Sequence, residues 1–203
     1  MAESRKSRNY LVFFGLNPPV YLFRNNIFTA IQLASPHYIW TILIAGSITS
    51  IAAVQLPVNN SPVTDVTSND ITCNVSPGEA TETVDVPAGS TLDFKLDNTI
   101  YHQGPATIYL GKAPSDAASW DGSGANWFKI VEWGATFNPF GLSDEGVPQW
   151  YISCTQINIT GGGSASPSKV SIPGYVSPND PGLTVDDPVP TTYIVPGPAV
   201  FSG

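Results

Sequence analysis

The chain has 203 residues, of which 42% are hydrophobic and 12% charged, and its formal net charge is −8. This composition argues against a disordered tail, and the length accommodates one sandwich-sized domain with an appendage. The charge is divided unevenly, because residues 1–36 carry +3 whereas residues 37–203 carry −11 and no arginine. The acidic excess argues against nucleic acid and other phosphate-rich partners, since the electrostatic attraction has the wrong sign. Neutral polysaccharides and small molecules remain open as partners.

The first 36 residues differ from the rest in composition. Residues 1–9 are basic and polar, and residues 10–23 are apolar but interrupted by Asn17-Pro18-Pro19. Two consecutive prolines disrupt a helix, so this stretch is a poor match for the apolar segment of a secretory signal. We interpret residues 1–36 as an atypical leader or N-terminal extension and residues 37–203 as the main domain.

The uncharged stretch of residues 38–56 has two interpretations. Its length suits a membrane span or a signal anchor, with the basic flank of residues 5–8 facing the cytoplasm. Its many isoleucines suit buried strands, and several Ser, Thr, Gly and Gln residues reduce its hydrophobicity. Hydropathy alone leaves both interpretations open.

From residue 57 onward the pattern is all-β. Short apolar or alternating runs, each a strand candidate, are separated by clusters of turn-forming residues. The runs are residues 83–86, 91–96, 106–110, 127–131 and 149–159. After Gly161 the chain is rich in proline and loop-like. Regularly spaced short strands predict an immunoglobulin- or fibronectin-like antiparallel β-sandwich with long loops.

Cys73 and Cys154 are the only cysteines. Two thiols in a chain of low charge are consistent with an oxidising compartment, although two buried free thiols remain an alternative. If they pair, the closed loop is long, and the chain-entropy estimate of the stabilisation is about 4.5 kcal/mol at most. Asn59, Asn74 and Asn158 begin triplets that are possible glycosylation acceptors.

The chain contains two histidines, His37 and His102, each at the head of a recognisable short segment. Two imidazoles, a phenol and a backbone amine form the ligand set of a mononuclear type-2 copper site, because Cu(II) prefers nitrogen-rich, nearly square-planar ligation. Tyr151 could supply the phenol. The alternatives are ordinary ones: a loop residue or a histidine beside a membrane span for His37, a surface-loop or core histidine for His102, and core aromatic packing for Tyr151.

Several motifs in a fixed order resemble one family, the fungal cellulose-active lytic polysaccharide monooxygenases formerly grouped with glycoside hydrolases. The resemblance covers the chain from about Val54 to its C-terminus. Each motif is weak alone, but the set and its order are specific. The motifs are Asn59-Asn60-Ser61-Pro62 with Cys73-Asn74, His102-Gln103-Gly104-Pro105, Trp120-Asp121-Gly122 with Trp127-Phe128-Lys129, Gln149-Trp150-Tyr151 with Cys154, Asp180-Pro181-Gly182, and Pro196-Gly197-Pro198.

The resemblance assigns roles to individual residues. His102 corresponds to the internal copper ligand, Tyr151 to the axial tyrosine, and Gln149 to a glutamine beside the oxygen site. His37 corresponds to the first residue of the mature enzymes, whose terminal amine and imidazole both bind copper in a histidine brace. Cys73 and Cys154 correspond to the family's long-range disulfide. The resemblance also makes Tyr175 a candidate for stacking against a sugar.

The activity implied by the resemblance is copper-dependent oxidative cleavage of cellulose or a related β-glucan. The copper centre would hydroxylate a C–H bond beside the glycosidic linkage, with an external electron donor and oxygen or hydrogen peroxide as co-substrates. The family also implies a secreted monomer.

One departure from the family pattern concerns the core. Several dozen residues that the family has before the Gln149 strand are absent, so we expect an internal deletion near residues 140–148 and the loss of some core strands. Such a loss would leave unsatisfied sheet edges.

Two other functions remain open. The first is a catalytically defective polysaccharide-binding sandwich, with residues 38–56 as a membrane anchor. The second is a classical glycosidase, which needs two facing carboxylates, one with a raised pKa. Its candidate acids are Asp121, Glu132, Asp144 and Glu145.

Overall fold

The computed structural model describes residues 8–16, 38–98, 104–134, 149–183 and 192–203. The described part contains a four-residue helix, α1 (Asp70–Cys73), and a short 3-10 helix (Ala117–Ser119). Its strands are β1 (Arg8–Leu16), β2 (Trp40–Ala45), β3 (Ile48–Ser50), β4 (Val54–Gln55), β5 (Val84–Pro87), β6 (Leu92–Leu96), β7 (Ala106–Lys112), β8 (Trp127–Trp133) and β9 (Tyr151–Thr160). All five strands predicted downstream of residue 57 are therefore confirmed, with their ends shifted by one or two residues.

The strands form two sheets. The larger sheet has the order β4-β9-β1-β7-β8, with β5 also paired to β9, and the smaller sheet has the order β3-β2-β6. All pairs are antiparallel except β5 with β9, which is parallel. The predicted all-β sandwich is confirmed.

Residues 38–56 form β2, β3 and β4, so the strand interpretation of this stretch is confirmed and the membrane-span interpretation is wrong. A two-residue turn joins β2 to β3, with Gly46 at a φ of 61° in its first central position. That position of a tight hairpin turn favours glycine, because other residues are strained at positive φ. In the described part of the chain, no helix is long and apolar enough to cross a membrane.

Apolar side chains cover both faces of the larger sheet. Between the two sheets lies a cluster that includes Leu43 of β2, Val84 of β5 and Ile157 of β9. On the opposite face, Ile152 and Cys154 of β9 pack with Ile71 of α1 and Trp127 of β8. Because side chains alternate along a strand, β9 contributes to both clusters and is the central element of the fold.

A buried lysine fixes the C-terminal segment to the larger sheet. The Lys129 ammonium lies 2.7 Å from Glu132 Oε2 and donates a hydrogen bond of 3.0 Å to the Pro196 carbonyl. The Phe201 amide donates to the Lys129 carbonyl. The proline-rich segment after Gly161 is loop-like where it is described, as predicted, and these contacts hold its last residues in place.

Strand β1 is a feature that sequence reasoning missed. It lies in the middle of the larger sheet, antiparallel to both β7 and β9. Unsatisfied sheet edges were expected from the missing core strands, and along β9 strand β1 supplies pairing partners from Tyr151 to Ile159. The prolines that made residues 10–23 a poor helix lie beyond the last residue of β1 and do not interrupt it.

Cys73 and Cys154 form a disulfide with a sequence separation of 81 residues, which confirms the predicted pairing. It joins the end of α1 to the centre of β9.

The three glycosylation candidates differ in exposure. Asn59 is exposed, and Asn158 is half-buried with its amide donating to Asp85 Oδ1 at 2.6 Å. Asn74 is buried, and its amide nitrogen donates to the Ile152 carbonyl at 3.0 Å. The structure therefore disagrees with Asn74 as an acceptor, because the nitrogen that would carry the glycan is enclosed by protein.

Candidate functional site

A small aromatic cluster lies where four strand ends meet. Tyr38 and Tyr151 are its buried members, and Trp40, Leu96 and Ala106 pack against them; we call this set the tyrosine cluster. Its residues come from the chain before β2 and from the ends of β2, β6, β7 and β9. The ring centroids of Tyr38 and Tyr151 are 4.6 Å apart with an interplanar angle of 36°. Such a tilted arrangement is typical of favourable aromatic pairs.

Strand geometry explains the position of Tyr151. Cys154 and Ile152 point to the face of β9 that packs against α1, so Tyr151 points to the opposite face, toward the smaller sheet. There its side chain is 1% exposed. The sequence-predicted axial tyrosine thus lies at the first position of β9, on the face shared with Tyr38.

Gln149 and Tyr151 are joined directly. The Tyr151 hydroxyl donates a hydrogen bond of 2.9 Å to Gln149 Oε1. Burial raises the pKa of Tyr151 to about 12, because the phenolate form would be desolvated. At neutral pH the residue is therefore a protonated phenol that is oriented by the Gln149 side chain. The structure brings these two predicted site residues together.

His37 and His102 both lie outside the described residues, so their predicted roles remain predictions. Their chain neighbours are described. Tyr38, which follows His37, is a buried member of the tyrosine cluster, and Ala106, four residues after His102, packs against that cluster. Within the described ranges, no group of three or more His, Cys, Asp or Glu side chains is arranged to hold a metal ion.

Tyr175 lies away from the tyrosine cluster. Its ring is half-buried and meets the edge of the Tyr109 ring, with centroids 5.3 Å apart and an interplanar angle of 80°. Burial raises its pKa above the ordinary tyrosine value. Much of the ring therefore packs on the protein, and the sugar-stacking role stays a prediction.

The two candidate glycosidase acids that the structure describes, Asp121 and Glu132, are engaged in other interactions. Asp121 is exposed, and hydrogen bonds from Ser123 lower its pKa, whereas a general acid needs a raised one. Glu132 is the ion-pair partner of Lys129. Asp144 and Glu145 lie outside the described residues. The described carboxylates give no support to a hydrolytic mechanism.

Sequence reasoning assigned no role to Tyr38, although it is completely buried against Tyr151. The available signal was its position directly after His37. A buried aromatic ring next to a candidate ligand can hold the backbone of that ligand in place by packing. The sequence alone does not show that the Tyr38 ring packs against Tyr151.

The β-sandwich and the hydrogen-bonded pair of Gln149 and Tyr151 agree with the class that the sequence motifs resemble, the lytic polysaccharide monooxygenases. The family model of Auxiliary Activity family 9 (formerly GH61) matches residues 37–141 and 140–193. The chain belongs to this family, and the predicted family is confirmed.

Two relatives give the level of similarity. The chain is 42% identical over 210 aligned positions to AA9 family lytic polysaccharide monooxygenase E of Podospora anserina. The alignment covers 85% of this chain and 71% of the relative. The chain is 37% identical over 216 positions to AA9 family lytic polysaccharide monooxygenase H of Malbranchea cinnamomea, covering 84% of this chain and 94% of the relative.

Solved structures agree with this assignment. A cellulose-active polysaccharide monooxygenase from M. thermophila superimposes with a TM-score of 0.70 at 26% identity, covering 82% of this chain and all of that one. The extended catalytic domain of H. jecorina LPMO9A superimposes with a TM-score of 0.72 at 20% identity, covering 82% and 92% of the two chains, and this likeness shows the fold alone.

Proposed function

We propose that this chain, with His37 as its first residue, binds one copper ion and oxidatively cleaves cellulose or a related β-glucan. The terminal amine and imidazole of His37, the imidazole of His102 and the phenol of Tyr151 would hold the copper. The observation that carries the proposal is the contact of Tyr38 with Tyr151, because it ties the residue after His37 to the predicted axial ligand. The start of the family match at residue 37 supports the same first residue.

The donor set fits copper in its chemistry. Imidazoles and an amine suit Cu(II), and a neutral phenol would add a weak oxygen ligand. Tyr151 remains a phenol at neutral pH because its pKa is raised to about 12. When bound, copper would supply the one-electron chemistry that no side chain can provide.

His37 needs a free amine for this role. The α-amino group of a protein has a pKa of about 8, so its proton is displaced by a metal ion at neutral pH with little cost. A peptide nitrogen loses its proton far less readily. Processing between Pro36 and His37 is therefore part of the proposal.

The chain's own residues would position the reaction. Gln149 accepts the Tyr151 hydrogen and fixes the orientation of the phenol. The buried rings of the tyrosine cluster exclude water from the inner side of the site. With hydrogen peroxide, a substrate C–H and one peroxide would give C–OH and water; with oxygen, two electrons and two protons must come from an external donor. The bond between the hydroxylated carbon and the glycosidic oxygen would then break: that carbon becomes a carbonyl, and the proton of the new hydroxyl passes to the departing sugar oxygen.

The disulfide supports a secreted protein, because disulfides persist in oxidising compartments. The acidic main domain is compatible with a neutral polysaccharide and unfavourable for phosphate-rich partners. We propose that the secreted form acts as a monomer.

The test compares one preparation before and after cleavage. Residues 34–36 of the full chain are replaced by a recognition sequence whose protease leaves His37 first. We expect tight Cu(II) binding and a type-2 electron paramagnetic resonance spectrum only after cleavage, with oxidised oligosaccharides released from cellulose once a reductant is added. The His102→Ala variant, cleaved in the same way, is the matched negative control. Cellulose binding without copper retention would instead indicate a non-catalytic module.

A further inference from the structure

Strand β1 occupies a central position, although it comes from the segment before the family match. All nine of its residues are in register with β9, and Tyr10 to Leu16 are also in register with β7. The family match begins only at residue 37. A strand from outside the matched region therefore completes the larger sheet of the matched domain.

Removal of β1 would open the sheet. Strands β7 and β9 would then face each other across the width of a missing strand, about 10 Å between their axes, with unpaired N–H and C=O groups on both sides. Tyr10, which is 8% exposed and belongs to the cluster between the sheets, would also be lost. The core around Val84 and Ile157 would then be open to water.

The alignments support β1 as a replacement for missing chain. The alignment with the Malbranchea relative has 216 positions but uses only 84% of the 203 residues here, so several dozen positions of the relative have no counterpart. The family match is divided into two segments that meet at residues 140–141. The two matched segments meet between β8 and β9 in the chain.

We propose that residues 8–16 are a donor strand that stays in the sheet after cleavage before His37, so that the active form consists of two non-covalently associated pieces. This inference rests on the proposed function, because only copper binding by the His37 amine requires the cleavage. The recognition chemistry is that of strand addition: main-chain hydrogen bonds on both edges and an apolar side chain in the core.

The first experiment uses the cleavable full chain described above. After proteolysis, size-exclusion chromatography and mass spectrometry determine whether the N-terminal fragment elutes with residues 37–203. We expect co-elution in native buffer and separation in denaturant. The donor strand is refuted if the fragment separates in native buffer while the remainder keeps its circular dichroism and melting temperature.

A matched pair of variants tests the strand pairing. Proline at a central strand position removes a ladder hydrogen bond, so Val12→Pro should weaken retention of the fragment at least tenfold. Val12→Ile keeps the N–H and the β-branched side chain and should retain the fragment as the parent does. Equal retention of the two variants would contradict the proposal.

Hydrogen exchange on the uncleaved parent chain keeps the test decisive if Val12→Pro does not fold. The amides of residues 8–16 should be protected to the same order as those of β9. Exchange at the rate of an unstructured peptide would overturn the assignment of β1 as a sheet strand.

The two proposals fail differently. If the fragment is retained but the cleaved protein does not bind copper, the proposed function is wrong and the donor strand stands. If the fragment is lost and residues 37–203 still fold and bind copper, the donor strand is wrong and the proposed function stands.

Discussion

The Tyr38 ring lies against the Tyr151 ring, with centroids 4.6 Å apart, and both side chains are almost completely buried. This contact connects the beginning of the matched domain to the first residue of β9, the strand that contributes to both core clusters. The position of the chain next to His37 is therefore fixed by core packing.

Tyr38→Ala should destabilise the protein and weaken copper binding by the cleaved form. Loss of a fully buried aromatic ring typically costs about 3–5 kcal/mol. Tyr38→Phe retains the ring and should remain close to the parent in both respects. Urea denaturation and copper titration check this, and equal behaviour of the two variants would show that the ring contact has no positioning role.

Tyr151→Phe removes the hydroxyl and keeps the ring, so it measures the contribution of the hydroxyl alone. The hydrogen bond to Gln149 is lost, so we expect a stability change of about 1 kcal/mol. Copper should still bind through the histidines, but with a changed resonance spectrum and less oxidised product. Tyr109→Phe, which removes a buried hydroxyl outside the tyrosine cluster, is the control. An unchanged spectrum for Tyr151→Phe would exclude axial ligation.

Alkaline pH should destabilise the fold through its buried tyrosines. Burial raises the pKa of Tyr151 to about 12 and also raises the pKa values of Tyr38 and Tyr109. In the unfolded chain these phenols release their protons near pH 10, whereas in the folded chain they keep them, so stability is fully present below about pH 10 and falls as pH rises toward 12. Urea midpoints between pH 8 and 11.5, followed with tyrosinate absorbance, should decrease. A flat profile would contradict the burial of these side chains.

The double variant Cys73→Ala, Cys154→Ala should be less stable than the parent. The disulfide closes a loop with a sequence separation of 81 residues, for which the chain-entropy model gives about 4.5 kcal/mol as an upper estimate. Denaturation of the parent with and without a reductant provides the control. Reduced parent and double variant should unfold at similar urea concentrations, and a double variant as stable as the oxidised parent would refute the expectation.

Lys129→Met should release the C-terminal segment. The buried ammonium donates to the Pro196 carbonyl and pairs with Glu132, and hydrogen bonds to charged groups contribute about 1.5–3 kcal/mol. We expect faster amide exchange in residues 192–203 and lower stability. Lys112→Met, at an exposed lysine, should change neither. Unchanged exchange in the Lys129 variant would show that other contacts hold the segment.

Sequence patterns were sufficient for the strands whose side chains alternate or form short apolar runs. The segment ending in Leu96 alternates strictly, and the β9 sequence is long and β-branched, so both strands were predicted close to their observed bounds. The resemblance supplied the disulfide, which no spacing rule determines. Gln149 and Tyr151 were also identified in this way, and the structure places them in contact.

Other features depend on long-range contacts that no local pattern contains. The apolar run that includes Tyr10 was interpreted as part of an atypical leader or extension, and only its pairing with β7 and β9 identifies it as a strand. The contact of Tyr38 with Tyr151 joins residues more than a hundred positions apart. Asn74 matched the acceptor triplet, but the triplet carries no information about its burial.

The pairing of Tyr10 with Ile157 joins residues 147 positions apart in the sequence. During synthesis, residues 8–16 lack one strand partner until β7 has been made and the other until β9 has been made, and such distant pairings slow folding. Removal of the leader region before translation is complete would leave the nascent sheet without its middle. The yield of folded protein therefore depends on whether proteolysis occurs before or after the chain has been completed.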